Sequence, residues 1–447
     1  MDRITLQNYR CFGSEEQSAL LAPLTLLVGP NSTGKTSFLA LIRALWDVAF
    51  REVAPNFREH PYDLGSWDDI VHQPGGRSKP ADSFGAEFGQ GSSQQLRDGV
   101  SFQARFDNHT GSAVPVKRRL ARGESRWEVR RKGAVEHAVR FATSRGEWQR
   151  SFDVGPGISD GISLMPMSSL SWSRIFGLDL FAAERWTESS VAFNEDDLDE
   201  ARQLSNLLIP WGDTKRPFAG APIRSRPRRT YDPTLLANDS EGSAMPSYLA
   251  NLSRREADNW QLLKARLEIF GKVSELFDEI NVRSFGTSDG DPFQIQVRKH
   301  SGPKYRRRKG PWRNLIDVGY GVSQALPVLT ELLRPDGPTT FLLQQPEVHL
   351  HPQAQAAFGT LFCQVAAGGR QIIIETHSDY IIDRVRMDVR DGTTDLKPED
   401  VSILYFEPGD LAVKIHSIRL DKAGNVLDAP PGYRQFFTDE MVRSIWA

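Results

Sequence analysis

Short apolar runs alternate with amphipathic segments at both ends of the chain. Near the N-terminus, ITLQNYRCF alternates apolar and polar residues as a half-buried strand does, and ALLAPLTLLVG is more uniformly apolar. From residue 291 onward, FQIQVRK, TFLLQQ, QIIIETHS, VSILYFE and AVKIHSI read as strands, with helical spacing in the segments between them. Apolar strands that alternate with helices predict a largely parallel sheet covered on both faces.

The middle of the chain has a different pattern. Between about residues 80 and 152, SFGAEF, VSFQARF and RWEVRRKG predict short strands separated by turns, and so an inserted antiparallel region. The proline-rich segment 221–234 is expected to be a loop. Residues 245–282 carry apolar positions at intervals of three and four, which predicts helices too short for a long coiled-coil arm.

The second strand runs into a phosphate-binding motif. Residues 29–36, GPNSTGKT, fit the G-x-x-x-x-G-K-[ST] pattern in full, between a predicted strand and a predicted helix. Backbone N–H groups of such a loop surround phosphate oxygens, the lysine reaches the outer phosphates, and the following hydroxyl binds Mg²⁺. The expected nucleotide-binding residues are Gly29, Asn31, Ser32, Thr33, Gly34, Lys35, Thr36 and Ser37.

Composition limits the partners and the cellular compartment to be expected. The formal net charge is -2, so the overall field does not attract nucleic acid or an acidic membrane, and any such binding would need a local patch. The two cysteines, Cys11 and Cys363, form no disulfide or metal pattern. The chain shows neither a signal peptide nor an apolar run of about 20 residues, the length that spans a bilayer. We therefore expect a cytoplasmic protein that does not enter a membrane.

A strand carrying carboxylates is expected downstream of a phosphate loop, and FLLQQPEVHLHP at 341–352 is the best match. Two amides, Gln344 and Gln345, stand where acids are expected. An amide orients water but neither accepts its proton nor brings negative charge to a metal. The nearby carboxylates are Glu347 and Glu375, and either could compensate.

Five ordered motifs together carry a resemblance to known proteins. GPNSTGKT, the preceding NYRCF, DVGYGVSQALPVL at 317–329, QQPEVHLHP and ETHSD at 375–379 resemble ABC-type AAA ATPases related to RecF, SMC and the OLD family. GSWDDIVH (65–72), AAER (182–185) and DAPPGYRQFF (428–437) resemble a branch of small bacterial AAA ATPases. Several members of that wider group serve in anti-phage defence.

The resemblance implies roles for further residues. Gly321, Ser323 and Gln324 would form the signature segment, which reaches across a dimer to the ATP held by the other protomer's Lys35. The loop at 350–352 would line the same interface, and His377 would be the switch histidine. ATP and Mg²⁺ are the implied ligands, with Thr36 and Gln344 at the metal. Tyr9 and Arg10 are candidate contacts to the base by their place after the first strand, and the sequence does not choose between adenine and guanine.

The predicted fold is an α/β P-loop NTPase of ABC/RecF type. It has a mixed, mainly parallel core sheet, an inserted antiparallel β region and a helical subdomain. The expected divisions are the N-terminal part of the ATPase head (1–80), an inserted β-rich and loop region (81–230), a helical subdomain (231–290) and the C-terminal part of the head (291–447).

The double glutamine leaves three explanations open. This branch uses glutamine naturally and recruits Glu347 or Glu375 for slow hydrolysis, an acid at 344 was changed to glutamine to trap ATP, or the protein is an ATP-gated scaffold without turnover. Related heads often read E-Q-P-E at this place. His349 and His351, two residues apart, could instead be read as metal ligands, but no third ligand stands at useful spacing.

Two basic stretches raise the question of nucleic acid. In KYRRRKGPWR (304–313) and KRRLARGESRWEVRRK (117–132), arginines interleaved with Tyr305, Trp312 and Trp127 could grip phosphates and stack on bases. A solvated hairpin tip and a solvated strand face are the alternative. Because NEDDLDE at 194–200 provides opposite charge, the patches could equally dock a protein partner or another protomer. The DNA hypothesis rests on Arg306, Arg307 and Arg308.

The leading functional hypothesis is an ABC-type ATPase that forms a head-to-head dimer or higher homo-oligomer and controls a separately encoded effector, in anti-phage defence by resemblance. The residues after the ATPase core are too few for the TOPRIM nuclease of OLD-type enzymes, so no nuclease activity of its own is expected. A RecF-like DNA-repair ATPase that binds duplex DNA is the alternative, and a non-hydrolysing ATP-sensing scaffold is the second alternative.

Overall fold

The fold is described from a computed structural model. It describes residues 2–51, 53–75, 79–90, 99–133, 136–153, 194–206, 215–233, 239–301 and 308–434. The helices are α1 (Lys35–Phe50), α2 (Trp67–Ile70), α3 (Glu195–Asn206), α4 (Met245–Arg255), α5 (Ala257–Val273), α6 (Tyr320–Leu333), α7 (Pro352–Ala367) and α8 (Asp379–Asp391). The strands are β1 (Arg3–Gln7), β2 (Gln17–Leu20), β3 (Leu24–Val28), β4 (Ser83–Gln90), β5 (Val100–His109), β6 (Ser112–Arg122), β7 (Ser125–Arg131), β8 (Glu136–Ala142), β9 (Glu147–Asp153), β10 (Phe218–Gly220), β11 (Glu279–Ser284), β12 (Phe293–Arg298), β13 (His300–Ser301), β14 (Arg308–Lys309), β15 (Arg313–Asn314), β16 (Thr340–Gln344), β17 (Gln371–Glu375), β18 (Val401–Glu407), β19 (Lys414–Leu420) and β20 (Val426–Leu427).

The core sheet has the strand order β10-β16-β17-β3-β18-β19-β20. The first five of these strands run parallel, and β19 and β20 follow antiparallel to their neighbours. Every residue of β3 and β16 is buried, as expected for apolar strands with both faces covered. Because parallel strands end at the same edge of a sheet, the carboxyl ends of β3, β16 and β17 meet there, with Gln344 paired to Glu375 and Glu375 to Leu27.

The two faces of the core sheet bury different partners. Leu27 and Leu342 pack into one hydrophobic cluster with α1 and the second sheet, and Leu26 and Leu343 pack into another with α4 to α8. Successive side chains of a strand point to opposite faces, so one apolar strand contributes to both clusters. The strands whose ends carry the candidate site are therefore packed between two hydrophobic clusters.

The second sheet is antiparallel, in the order β2-β1-β4-β5-β6-β7-β8-β9. Its inner face is aromatic and fully buried, and it includes Phe84, Phe102, Phe106, Trp127 and Phe141. Three smaller strands, β11, β12 and β15, form a separate sheet, and β13 pairs with β14.

The predicted fold class is confirmed: a mixed, mainly parallel core sheet carries an antiparallel region and a group of helices. The structure adds three details. β1 belongs to the antiparallel sheet, β10 joins the core sheet from within the predicted insertion at 81–230, and the β11–β12 hairpin crosses the predicted division at residue 290. Within the described ranges, no helix combines the length and the apolar character needed to cross a bilayer.

Candidate nucleotide site

The loop between β3 and α1 has the backbone of a phosphate-binding loop. Gly29, Ser32 and Gly34 have φ values of 140°, 62° and 85°. A Cβ atom on Gly29 would lie 2.7 Å from the Phe406 carbonyl oxygen, and one on Gly34 would lie 2.3 Å from Cys11 Sγ. At Gly29 and Gly34 a positive φ coincides with these close contacts, a combination that only glycine accommodates. The loop therefore does not tolerate a side chain at Gly29 or Gly34, and both glycines are required sterically.

Substitution of Gly34 by alanine is expected to destabilise the fold and abolish ATP binding. The new methyl group would collide with Cys11. The alanine would also have to adopt a left-handed φ, which alone costs about 1–2 kcal/mol. Gly111→Ala is the matched control, because Gly111 has φ 81° in the β5–β6 turn with nothing within 4 Å of a Cβ. Thermal unfolding and calorimetric ATP titration measure both. Equal losses in the two variants would contradict the steric argument.

The side chain of Lys35 lies inside this loop. Its Nζ donates hydrogen bonds to the carbonyl oxygens of Gly29 (3.0 Å) and Pro30 (2.6 Å), and the residue is 3 % exposed. Burial lowers the pKa of Lys35, and the negative charge of Glu375 opposes that shift. Phosphate oxygens would replace the two carbonyls as acceptors, so the lysine is already positioned at the predicted anion site.

The other loop residues hold its shape. Thr33 donates its hydroxyl to the Pro30 carbonyl at 2.9 Å, while Asn31 and Ser32 are exposed. Ser37 is buried, and its carbonyl oxygen accepts the Tyr9 hydroxyl at 2.9 Å. Tyr9 is fully buried, so the expectation that Tyr9 contacts the base is wrong: this ring packs in the core instead.

A cleft of about 520 Å³ lies beside the loop. It is lined by residues 32–37 together with Arg10, Cys11, Asp68, Asp69, Val71, Gln73 and Glu375. Arg10 donates hydrogen bonds to the carbonyl oxygens of Leu64 and Asp69, which fixes its guanidinium at the cleft. The predicted GSWDDIVH segment thus forms one wall of the nucleotide cleft.

A carboxylate meets the phosphate loop from the adjacent strand. Thr36 Oγ1 donates a 2.8 Å hydrogen bond to Glu375 Oε2 at the end of β17. Glu375 is 6 % exposed; burial raises its pKa, and the Thr36 bond and the Lys35 charge oppose that shift. Hydroxyl and carboxylate oxygens are the ligands Mg²⁺ prefers alongside nucleotide phosphates. The pair therefore fits a magnesium ion, which would neutralise phosphate charge when bound.

The end of β16 carries the two glutamines. Gln344 is 4 % exposed, and its Nε2 has no hydrogen-bond partner among the described residues. Gln345 has φ 40°, and its N–H donates to the Glu375 carbonyl at 2.7 Å. The two glutamines thus begin a strained turn, and a backbone hydrogen bond attaches this turn to the end of β17. The carboxylate beside Thr36 is that of Glu375, on β17.

Glu347 and His377 are joined across this turn. Glu347 Oε1 accepts the His377 backbone N–H at 2.7 Å, and Oε2 has no hydrogen-bond partner among the described residues. Burial raises the pKa of Glu347, and burial followed by the nearby Lys35 charge lowers the pKa of His377. The structure brings a second carboxylate and the predicted switch histidine together, at the same sheet edge as Glu375.

Sequence reasoning missed Arg224, which lies in the loop after β10. Arg224 is 3 % exposed, and its Nη2 lies 3.4 Å from the carbonyl oxygens of both Gln344 and Gln345. Burial lowers its pKa to about 10, and the Glu347 charge opposes that shift. The segment reads as a polar loop, and the weak signal was the apolar FAGAPI just before it.

The predicted signature residues lie at the start of α6. Ser323 is 3 % exposed and donates its hydroxyl to the Tyr320 carbonyl at 3.0 Å; Gln324 is 4 % exposed and faces Arg224. A Cβ on Gly321 would lie 3.1 Å from the His349 carbonyl. Gly321 therefore lies against the loop after β16, and none of the three residues lines the nucleotide cleft of its own chain.

The histidines of that loop have structural partners. His349 has φ 66° and packs against the Tyr320 ring with centroids 5.9 Å apart, and His351 Nδ1 accepts the Gln353 N–H at the start of α7. Across the described ranges, no group of three or more His, Cys, Asp or Glu side chains is placed to hold a metal ion. The arrangement favours packing and capping roles for both histidines.

The basic stretches are partly neutralised. Trp127 is fully buried, so the expectation that it stacks on bases is wrong, because alternation along β7 turns it into the core. In the stretch 117–132, Lys117 pairs with Glu128 at 3.0 Å and Lys132 with Glu136 at 3.4 Å. Residues 304–307, including Arg306 and Arg307, and residues 182–185 lie outside the described residues, whereas Arg308 is exposed.

Sequence comparison places the chain in a family. Residues 132–383, more than half of the chain, match the family described as "AAA domain, putative AbiEii toxin, Type IV TA system". The chain belongs to this family. The matched range of this AAA-family chain includes the signature segment, β16 and His377, whereas the phosphate loop precedes it and is identified by its own motif and backbone. The predicted kinship with ABC-type AAA ATPases is confirmed.

Solved structures of SMC head domains are similar to this AAA-family chain. One from Thermotoga maritima is 13% identical and covers 93% of this chain and 98% of its own, with a TM-score of 0.36. One bound to the C-terminal domain of ScpA, from Pyrococcus furiosus, is 10% identical with 99% coverage of both chains and a TM-score of 0.43. An SMC head bound to the C-winged helix domain of ScpA has 11% identity, 94% and 98% coverage and a TM-score of 0.48. Comparison with curated proteins found no match.

Proposed function

We propose that this AAA-family protein binds Mg-ATP at the phosphate loop and hydrolyses it slowly, using Glu375 and Glu347 in place of acids at 344 and 345. The observation that carries the proposal is the 2.8 Å bond from Thr36 to Glu375. It puts a carboxylate beside the hydroxyl that binds magnesium in phosphate loops. Glu347, with one oxygen free of partners among the described residues, is the better candidate to orient the attacking water.

Assembly and partner control form the second part of the proposal. Two heads pair so that the signature segment of one covers the ATP of the other, and the paired state controls a separately encoded effector in anti-phage defence. The exposed Tyr320 and Gly319 at the start of α6 support an interface there. The family description names a toxin of a toxin–antitoxin system, which supports a second protein as partner and a role in defence.

ATP-dependent association tests this function. Sedimentation velocity with Mg-ATP is expected to show a dimer or larger species that is absent without nucleotide. Lys35→Ala removes the cation that reaches the outer phosphates, so we expect loss of ATP binding and of association together. Lys422→Ala removes an exposed lysine and is the matched control. Calorimetric ATP binding without any change in mass would refute assembly while leaving nucleotide binding intact.

Phosphate release separates turnover from sensing. Release that requires Glu347 or Glu375 supports hydrolysis by displaced carboxylates. ATP-dependent association with no release at all would instead favour the ATP-sensing scaffold. Duplex DNA binding that weakens steeply with salt would favour the RecF-like alternative, although Arg308 is the only member of its arginine triplet that the described residues include.

A further inference from the structure

Arg224 is held on one side by the signature segment. The Gln324 carboxamide pairs with its backbone: Oε1 accepts the Arg224 N–H at 3.2 Å, and Nε2 lies 3.5 Å from the Arg224 carbonyl. Both residues are buried. A two-sided contact of this kind fixes the position of the Arg224 backbone relative to the first turn of α6, because a shift of either element would leave buried polar groups without partners.

The side chain of Arg224 contacts a different segment. Its Nη2 reaches the carbonyl oxygens of Gln344 and Gln345 at 3.4 Å, and its charge opposes that of Glu347. Parallel pairing of β10 with β16 explains the geometry, since the loops after both strands leave the sheet at the same edge. Arg224 therefore spans from the signature segment to the turn that carries the glutamines.

This contact is costly for a purely structural purpose. The Nε and Nη1 atoms of Arg224 have no hydrogen-bond partners among the described residues, and neither do Gln344 Nε2 and Glu347 Oε2. A buried cation with unsatisfied donors destabilises a fold relative to an apolar side chain. Polar groups left incomplete at one place, beside a strained turn, are typical of a functional site.

We infer that Arg224 is a positioning residue that couples the signature segment to the end of β16. When a second head contacts the start of α6, Arg224 moves with Gln324 and reorients the turn that carries Gln344, Gln345 and Glu347. The inference rests on the proposed function, because it needs ATP-dependent pairing of heads. It explains how assembly at one surface reaches carboxylates that lie outside that surface.

Hydrogen–deuterium exchange tests the coupling without requiring turnover. In the unmodified protein, Mg-ATP is expected to increase protection in residues 319–326 and in residues 343–350. In Arg224→Met, only residues 319–326 should respond, because the side chain that reaches β16 is gone while the backbone pair with Gln324 remains. Arg226→Met, the same change at an exposed arginine two residues away, should behave like the unmodified protein.

Kinetics provide the second readout. Arg224→Met is expected to lower kcat about tenfold, the scale of residues on a coupling route, with ATP affinity changed less than about twofold. Arg224→Lys keeps the cation and should recover part of the loss, which a packing defect would not allow. In a double-mutant cycle with Gln324→Ala, the two losses should be far from additive, since both substitutions interrupt one connection.

The outcomes are separable. If ATP binds and heads associate, but residues 343–350 respond to ATP in Arg224→Met as they do in the unmodified protein, the coupling is refuted and the proposed function stands. If these residues do not respond even in the unmodified protein, the coupling is likewise refuted. Failure of the unmodified protein to bind ATP in calorimetry would remove the proposed function and the coupling with it. Should Arg224→Met not fold, the exchange pattern of Arg224→Lys decides.

Discussion

Replacement of Glu375 by glutamine is expected to lower steady-state ATP turnover about 100-fold or more and to leave ATP affinity nearly unchanged. The Thr36 hydroxyl can still donate to the amide oxygen, so the loop keeps its geometry. What disappears is the negative charge beside the magnesium position. Since neither Gln344 nor Gln345 supplies a charge, no other residue at the ends of β16 and β17 replaces Glu375 there.

Stability measurements distinguish this loss from unfolding. Burial raises the pKa of Glu375, which means that the nucleotide-free fold disfavours its charge. A neutral amide of the same size removes that desolvation cost, so the melting temperature of Glu375→Gln should be equal to or above that of the unmodified protein. Glu399→Gln, an exposed residue in a distant turn, is the control. Turnover retained in Glu375→Gln would exclude Glu375 from the magnesium site and leave Glu347 as the working carboxylate.

The elements of the candidate site whose place in the fold follows from the sequence lie in contiguous segments. The phosphate loop joins one strand to one helix, and the two acids follow or end apolar strands, so local pattern and parallel pairing suffice to bring them to one edge. The fold class follows from the same alternation of strands and helices. The contact of Thr36 with Glu375, rather than with position 344, follows from β17 lying between β16 and β3, a strand order that local patterns do not encode.

Arg224 shows why the rest could not be predicted. Its strand, β10, has three residues and joins the core sheet only by pairing with β16, in which each partner lies 123 positions further along the chain (Phe218 with Phe341, for example). Such a short strand has no recognisable period, and prolines and arginines around it favour a loop. Its burial is decided by tertiary pairing alone. For Trp127 the signal was present, because alternation with Arg126 and Glu128 along β7 indicates an inward ring.

Charge balance links the unusual glutamines to this arginine. At the edge of the core sheet, Lys35 and Arg224 face Glu347 and Glu375, so two cations stand against two carboxylates before any nucleotide binds. A third carboxylate at 344 would leave the buried group with a net negative charge, which magnesium would then balance. The amide at 344 therefore belongs to a site that is neutral without metal, as burial favours.

The reverse substitution, Gln344→Glu, is expected to increase phosphate release about tenfold or more. It places a carboxylate at the strand end facing Glu375, where a second acid strengthens magnesium binding and leaves Glu347 free to orient water. Arg224, 3.4 Å from the Gln344 carbonyl, moderates the cost of burying the new charge. Phosphate release over a series of magnesium concentrations measures the effect. If the faster phosphate release comes from tighter magnesium binding, the magnesium concentration that gives half-maximal release should be lower in Gln344→Glu than in the unmodified protein.

The same variant discriminates among the explanations for the double glutamine. If the unmodified chain releases no phosphate and its Gln344→Glu variant hydrolyses ATP, the unmodified chain is a trapped form of an ordinary ATPase. If the unmodified chain and the Gln344→Glu variant both hydrolyse ATP, and Glu375→Gln abolishes that activity, then Glu375 and Glu347 are the carboxylates that support hydrolysis. Gln364→Glu, which changes a glutamine on α7 away from the strand ends, controls for added charge. If neither chain releases phosphate but both associate in the presence of ATP, ATP acts here as a ligand that joins two heads. The heads would then separate when the nucleotide dissociates rather than when it is hydrolysed.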